Sequence, residues 1–118
     1  ECDDGPVVCA VSDPEAVDCP LVFVSKSFES FTGYDRNFAL GRNCRFLQPN
    51  NHHVNKLING DELYHMKDFV TKKNAAGRSI VNLLLNERRN GFRFWNLLHM
   101  QHVEVRGKPL ILAVQTIL

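Results

Sequence analysis

The stretch GRNCRFLQ, residues 41–48, places a single cysteine, Cys44, among two arginines and an asparagine. A cysteine in this setting can act as a small apolar core residue, a metal ligand or a nucleophile. The four cysteines of the chain have spacings that match no zinc-binding pattern, and its five histidines are scattered. We therefore predict no metal site, which leaves the role of this thiol to be decided by what lies around it.

Three carboxamides form a second group of chemically capable residues. Side chains alternate between the two faces of a strand, so Asn86, Asn96 and Gln115 converge on one side of a predicted sheet among apolar neighbours. A buried carboxamide without a partner costs about 1–3 kcal/mol. Each group offers a donor and an acceptor, which suits the imide edge of a flat heterocycle. The pattern alone equally allows them to pair with one another or with the backbone.

The elements that position these residues follow from periodicity and turn chemistry. Strands are predicted at residues 7–11 and 21–25, followed by several short helices, a surface loop at 49–61 and an amphipathic helix at 62–73. The last third predicts a three-stranded meander, with a hairpin at Asn90-Gly91 and a turn at residues 107–109. This order predicts an α+β fold, an antiparallel sheet with helices packed over one face.

The opposite face of the predicted sheet is also apolar, with Leu83, Trp95 and Leu97 among its residues. A sheet that is apolar on both faces has to be covered on both faces. The predicted helices cover one, so we expect the other to dock a flanking helix or a second copy of the domain.

Length and charge restrict the class of protein. We predict one domain, residues 1–118, and a net charge of +1 does not favour nucleic acid or an anionic membrane surface. No run is long enough to span a bilayer, and the start at Glu1 suggests a module excised from a longer protein. A chain with 44% apolar residues needs no disulfide staples, so we expect free thiols and an intracellular location, cytoplasmic or nuclear.

With these motifs in hand, residues 8–118 resemble the LOV (light-oxygen-voltage) branch of the PAS domains, which are flavin-binding blue-light sensors. The octet GRNCRFLQ matches the signature of that family at every position, and DCPLVFVSKSFESFTGY, NGFRFWNLLHM and AVQ support it in the right order. The resemblance implies a PAS fold with a five-stranded antiparallel sheet and short helices over one face. It also implies a blue-light photoreceptor that acts on an effector domain or a dimer partner.

The resemblance further implies roles for matching positions. Cys44 would be the photoactive thiol, which bonds reversibly to C4a of the light-excited flavin, and Gln115 would respond by changing its hydrogen bonds near N5. The other implied flavin-binding positions are Ser12, Asn43, Arg45, Gln48, Leu63, Met66, Lys67, Val70, Asn86, Asn96, Leu98 and Ile111. Asn43 and Gln48 would contact the ribityl chain or the nearby ring edge, Arg45 the phosphate, and Asn86 and Asn96 the pyrimidine edge.

The sequence departs from the family pattern in three places. Lys67 is the candidate for a second phosphate contact where many members have a more suitable basic residue, and Cys19 stands where an asparagine is common. FMN is the preferred cofactor. The predicted loop at 49–61 is longer than in plant-type members, and fungal relatives with a long loop here can hold the adenine of FAD, so FAD is the alternative.

Two other functions compete with light sensing. One is a PAS-type interaction module without photochemistry. The other is a flavin oxidoreductase, against which stands the lack of a phosphate-binding loop or an acid–base pair in the sequence. We therefore predict that the domain is not an enzyme.

Overall fold

A computed structural model describes residues 7–118 as a five-stranded antiparallel sheet with helices over one face, which confirms the predicted fold class. In chain order the elements are β1 (Val8–Ser12), β2 (Leu21–Val24), α1 (Lys26–Thr32), α2 (Arg36–Ala39), a 3₁₀ helix (Cys44–Leu47), α3 (His52–Thr71), β3 (Ser79–Glu87), β4 (Arg93–Val105) and β5 (Lys108–Ile117). The strand order across the sheet is β2-β1-β5-β4-β3. Within residues 7–118, no helix has the length and apolar character needed to cross a membrane.

Both turns of the C-terminal meander are tight. Gly91, at φ 90°, lies in the loop between β3 and β4, as the Asn90-Gly91 signal predicts. The β4–β5 turn is formed by Arg106 and Gly107, both with positive φ, which matches the twist of a two-residue hairpin. The predicted turn at 107–109 is thus shifted, since Lys108 and the residue after it already belong to β5.

The short helices after β2 form as predicted because each has a local start and stop signal. The Ser25 hydroxyl caps α1 by accepting from the backbone N–H of Phe28, and Gly33 ends the helix at φ 82°. Phe28 is fully buried, so this helix is held down by its aromatic side chain as well as by its cap.

The prediction of a surface loop at 49–61 is wrong, because α3 runs unbroken from residue 52 to residue 71. Asn51 caps this helix by accepting from the backbone N–H of Val54. The first half of α3 turns asparagines, not apolar residues, toward the sheet: Asn59 is fully buried and Asn55 half-buried. A helix whose buried face is polar has no apolar periodicity to detect. Gly77 is not its C-terminal cap either, since its N–H donates to the carbonyl of His102.

The hydrophobic interior has two clusters. One lies where β1 and β2 meet α1 and includes Val8, Leu21 and Phe28; the other lies between α3 and the meander and includes Leu98 and Ile111. We call the face of the sheet that these clusters cover the inner face. The outer face exposes Val81, Leu83, Trp95 and Leu97, so the predicted second apolar face is present.

At both edges of the sheet, some backbone groups form hydrogen bonds with partners outside the sheet. At the β3 edge, the side chain of Asn59 bonds both backbone groups of Leu85, and Glu62 accepts from the N–H of Leu83. At the β2 edge, Leu21 exchanges two backbone hydrogen bonds with Gly41 and Arg42.

The cysteines differ from expectation at one position. Cys19 and Cys44 are free thiols, but Cys9 is disulfide-bonded. The prediction of free thiols throughout is therefore wrong for Cys9. The expectation of an intracellular location rested on free thiols and loses that support.

Candidate functional site

The predicted carboxamides lie on the inner face, on neighbouring positions of three strands. Leu98 of β4 pairs with Gln115 of β5, and Asn96 lies one inward-facing position away from Leu98 along β4. Asn86 of β3 lies opposite Phe94, yet its Oδ1 accepts from Nδ2 of Asn96 at 2.9 Å. The convergence predicted from strand alternation is therefore confirmed. Two of the amides also pair with each other, which the sequence pattern allowed as the alternative to ligand binding.

Several buried acceptors on the inner face have no hydrogen-bond partner. Among the described residues, four buried side-chain polar atoms have no hydrogen-bond partner, and three of them are on this face: Oδ1 of Asn96, Oε1 of Gln115 and Oδ1 of Asn82. Their residues are 1%, 8% and 4% exposed. Each orphaned acceptor costs about 1–3 kcal/mol, so the cluster indicates a site for a ligand that carries a hydrogen-bond donor. The imide edge of a flavin offers one N–H donor between two acceptors, which fits the Oδ1 of Asn96.

Apolar side chains surround the amides. Leu98 and Ile111 are buried, and Leu63, Met66 and Val70 of α3 pack against the same cluster. Ser12, at the end of β1, lies opposite Ile111, and Ala10 lies two positions before it in the same strand. The structure thus brings the predicted apolar positions together around the carboxamides. Lys67 is different, because it is exposed on α3 and does not join the cluster.

The 3₁₀ helix positions the thiol. Asn43 caps it, with Oδ1 accepting from the N–H of Arg45 at 3.0 Å, and its Nδ2 donates to the carbonyl of Asp18 at 2.8 Å. The guanidinium of Arg45 forms an ion pair with the carboxylate of Asp18. Cys44, the first residue of the helix, is half-buried and packs against the cluster that contains Val8, the residue paired with Gln115.

Both free thiols are held in the protonated form. Burial raises the pKa of the Cys44 thiol above its ordinary 9.0, and the neighbouring Arg45 charge only partly opposes this. Burial also raises the pKa of Cys19 to about 11, helped by the negative charge that Cys44 would carry as a thiolate. At neutral pH, Cys44 can thus supply a sulfur and a proton together, unlike a thiolate nucleophile activated by a base.

Sequence reasoning missed several residues of this site. Asn82 was detectable, since strand alternation puts it on the same face as Asn86. Asp18, Asn55, Asn59 and Glu62 carried no signal, because each acts through a partner far away in the sequence or in a helix that was not predicted.

Comparison with known proteins agrees with this geometry. Residues 6–117 match the family described as PAS domain. The chain is 41% identical over 90 residues to Blue-light-activated histidine kinase 1 of Erythrobacter litoralis, covering 76% of this chain and 22% of that protein. It is 38% identical over 99 residues to the White collar 1 protein of Neurospora crassa, covering 80% and 8%. The chain thus spans less than a quarter of these relatives.

Solved structures give the same picture. The LOV domain of a blue-light activated histidine kinase from Erythrobacter litoralis superposes with a TM-score of 0.81 at 27% identity, covering 97% of both chains. An RNA-binding light-oxygen-voltage receptor superposes with a TM-score of 0.83 at 29% identity, covering 99% of this chain and 31% of that one.

Proposed function

The chain belongs to the PAS domain family, as one of its LOV domains, and on that premise we propose that it senses blue light by holding FMN beside the thiol of Cys44. The observation that carries this proposal is the orphaned Oδ1 of Asn96, a buried acceptor that the imide N–H of a flavin could satisfy. An unpaired carbonyl oxygen in a buried apolar interior is costly unless a ligand supplies a donor.

The proposed contacts follow the matching positions. Asn86 and Asn96 would hold the pyrimidine edge, Asn43 and Gln48 the ribityl chain, and Arg45 the phosphate. Leu98, Ile111 and the apolar residues of α3 would enclose the ring. We favour FMN over FAD because the long surface loop that the FAD alternative needed is helical here.

A bound flavin would supply blue-light absorption and an electrophilic carbon, C4a. Cys44 would give its sulfur to C4a and its proton to N5, so the addition needs no external oxidant or base. The raised pKa of Cys44 supports this, since the thiol keeps the proton that the step consumes. Gln115 would then face a donor where it had faced an acceptor, and a rotation of its amide would change the hydrogen bonding of β5.

The apolar outer face is the proposed output surface. Leu83, Trp95 and Leu97 are exposed on the same strands whose inner sides carry the site. We propose that a flanking helix of the parent protein, its effector domain or a second copy of this domain docks there. The same exposed face supports the second candidate function, an interaction module without photochemistry.

The test of the proposed function is an absorption spectrum before and after blue light. We expect a structured visible band that bleaches under illumination and returns in darkness. A protein that remained colourless after refolding with FMN or FAD would favour the interaction module. A coloured protein that did not bleach would indicate a redox flavoprotein and contradict the thiol mechanism.

Asp18 provides a sharper test of the phosphate contact. Its carboxylate pairs with Arg45, so it competes with a phosphate for the guanidinium. The pair is more than half exposed and is therefore worth only about 0.2–1 kcal/mol. We expect Asp18→Asn to raise the affinity for FMN relative to riboflavin, which lacks the phosphate, by about two- to fivefold.

Asp68→Asn is the matched control, because it removes a similar exposed ion pair, between Asp68 of α3 and Lys72 just after the helix. Both variants are titrated with FMN and with riboflavin by fluorescence. An unchanged or lower FMN-to-riboflavin ratio in Asp18→Asn would show that Arg45 does not bind the phosphate.

A further inference from the structure

We propose that Asn59, a residue of α3, and the peptide group of Leu85 to which it is bonded determine which hydrogen-bonding groups the site presents at its two ends; this inference rests on the proposed function. Asn59 is fully buried and belongs to a continuous series of hydrogen-bonded carboxamides, which we call the amide chain. The amide chain consists of Gln48, Asn55, Asn59, Asn86 and Asn96, joined through the backbone of Leu85.

The orientation of Asn59 is fixed by the peptide groups of Leu85. The N–H of Leu85 donates to Oδ1 of Asn59 at 2.9 Å, and Nδ2 of Asn59 donates to the carbonyl of Leu85 at 2.8 Å. A backbone N–H only donates and a carbonyl only accepts, so a rotated Asn59 would face donor with donor and acceptor with acceptor. The usual ambiguity of an amide side chain is therefore absent at this residue.

This orientation passes to Gln48 in two steps. Nδ2 of Asn59 also donates to Oδ1 of Asn55 at 2.9 Å, which obliges Asn55 to turn its own Nδ2 toward Gln48. That Nδ2 donates to Oε1 of Gln48 at 2.9 Å. With its oxygen engaged, Gln48 is left with its Nε2 group to offer a ligand. One end of the site therefore presents a donor.

The other direction leads to the orphaned acceptor. Nδ2 of Asn86 donates to the same Leu85 carbonyl at 3.3 Å, which leaves Oδ1 of Asn86 to accept from Nδ2 of Asn96. Asn96 donates one N–H to Asn86, and its Oδ1 remains without a partner. The Leu85 peptide group, which orients both Asn59 and Asn86, thus accounts for a donor at Gln48 and an acceptor at Asn96. A ribityl hydroxyl can accept from the first while it donates to another group, an arrangement it would lose if Gln48 presented its oxygen, and the N–H of an imide can donate to the second.

The inference predicts that the polarity at Gln48 can be reversed without changing side-chain size. In Asn55→Asp, the carboxylate still accepts from Asn59 but cannot donate to Gln48, so Gln48 should rotate to donate its Nε2 and present its oxygen to the ligand. Asn55 is half-buried, so the substitution does not bury an isolated charge.

The experiment titrates the apoprotein with riboflavin and with lumiflavin, a flavin ring that lacks the ribityl chain. We expect Asn55→Asp to weaken riboflavin binding about tenfold and to leave lumiflavin binding within about twofold. Asn74→Asp, at an exposed position beyond α3, is the matched control and should leave both affinities unchanged. Urea unfolding of each apoprotein accompanies the titrations.

The outcomes separate this inference from the proposed function. A parent protein that bound neither flavin would overturn both. A parent that bound both, with an unchanged riboflavin-to-lumiflavin ratio in Asn55→Asp, would overturn the role of the amide chain alone. An equal loss of both affinities in this variant would also overturn it, because that result is expected if Asn55 only supports the fold. A selective loss of riboflavin binding in Asn55→Asp supports the inference.

Discussion

Cys44→Ala is expected to abolish light-driven bleaching completely while leaving the flavin affinity within about twofold of the parent value. The reason is that the proposed step consumes the sulfur and the proton of this thiol, and alanine has neither. The thiol is half-buried and packs against apolar neighbours, so its removal costs little binding energy. The measurement is the dark spectrum, the spectrum under continuous blue light and a titration with FMN.

Cys19→Ala is the matched control, since Cys19 is the other free, half-buried thiol among the described residues. We expect it to bleach and recover like the parent. Normal bleaching in Cys44→Ala would contradict the thiol mechanism. Loss of bleaching in Cys19→Ala alone would show that Cys19, and not Cys44, is the reacting thiol.

Gln115→Leu is expected to remove the light response without lowering the stability of the domain. In the apoprotein, Oε1 of this buried side chain has no partner, so replacing it with leucine should leave the free energy of unfolding unchanged or raise it by about 1 kcal/mol. In the flavin-bound protein, the same change should remove the light-induced difference in hydrogen exchange along β5. A leucine cannot respond to a change from acceptor to donor.

The control for Gln115→Leu is Thr116→Val, which alters the neighbouring, exposed side chain on the outer face. Unfolding of each apoprotein in urea and hydrogen exchange in darkness and under illumination provide the readouts. A clear loss of stability in Gln115→Leu would show that this amide is a structural residue, and a preserved light response would show that it does not carry the signal.

The meander was predictable from sequence because its information is local. Alternation along β3 and β4 and the Asn90-Gly91 turn are sufficient to place Asn86 and Asn96 together, and Gln115 follows from the last strand. The 3₁₀ helix was likewise predictable from its short span between Asn43 and the proline after Gln48. The family resemblance then gave each position an expected role.

Other parts of the site could not be predicted from local sequence patterns. The helical segment 52–61 has amides on its buried face, so hydrophobic periodicity could not reveal it. The pairing of Arg45 with Asp18 joins residues 27 positions apart, and the bonds of Asn59 to Leu85 span 26. Polar contacts at such separations depend on the tertiary fold. Asn82 is the exception, because the alternation that identified Asn86 applied to it equally.

The occupied sheet edges restrict how this domain can associate. An exposed edge strand is a template on which another chain can add a strand, and this route leads to domain swapping and fibrils. Here Asn59 and Glu62 block the β3 edge at Leu83 and Leu85, and Gly41 and Arg42 block the β2 edge at Leu21. The sheet cannot be extended at these positions. The apolar outer face can therefore remain open for a partner while the edge residues that these groups cover are closed to strand addition.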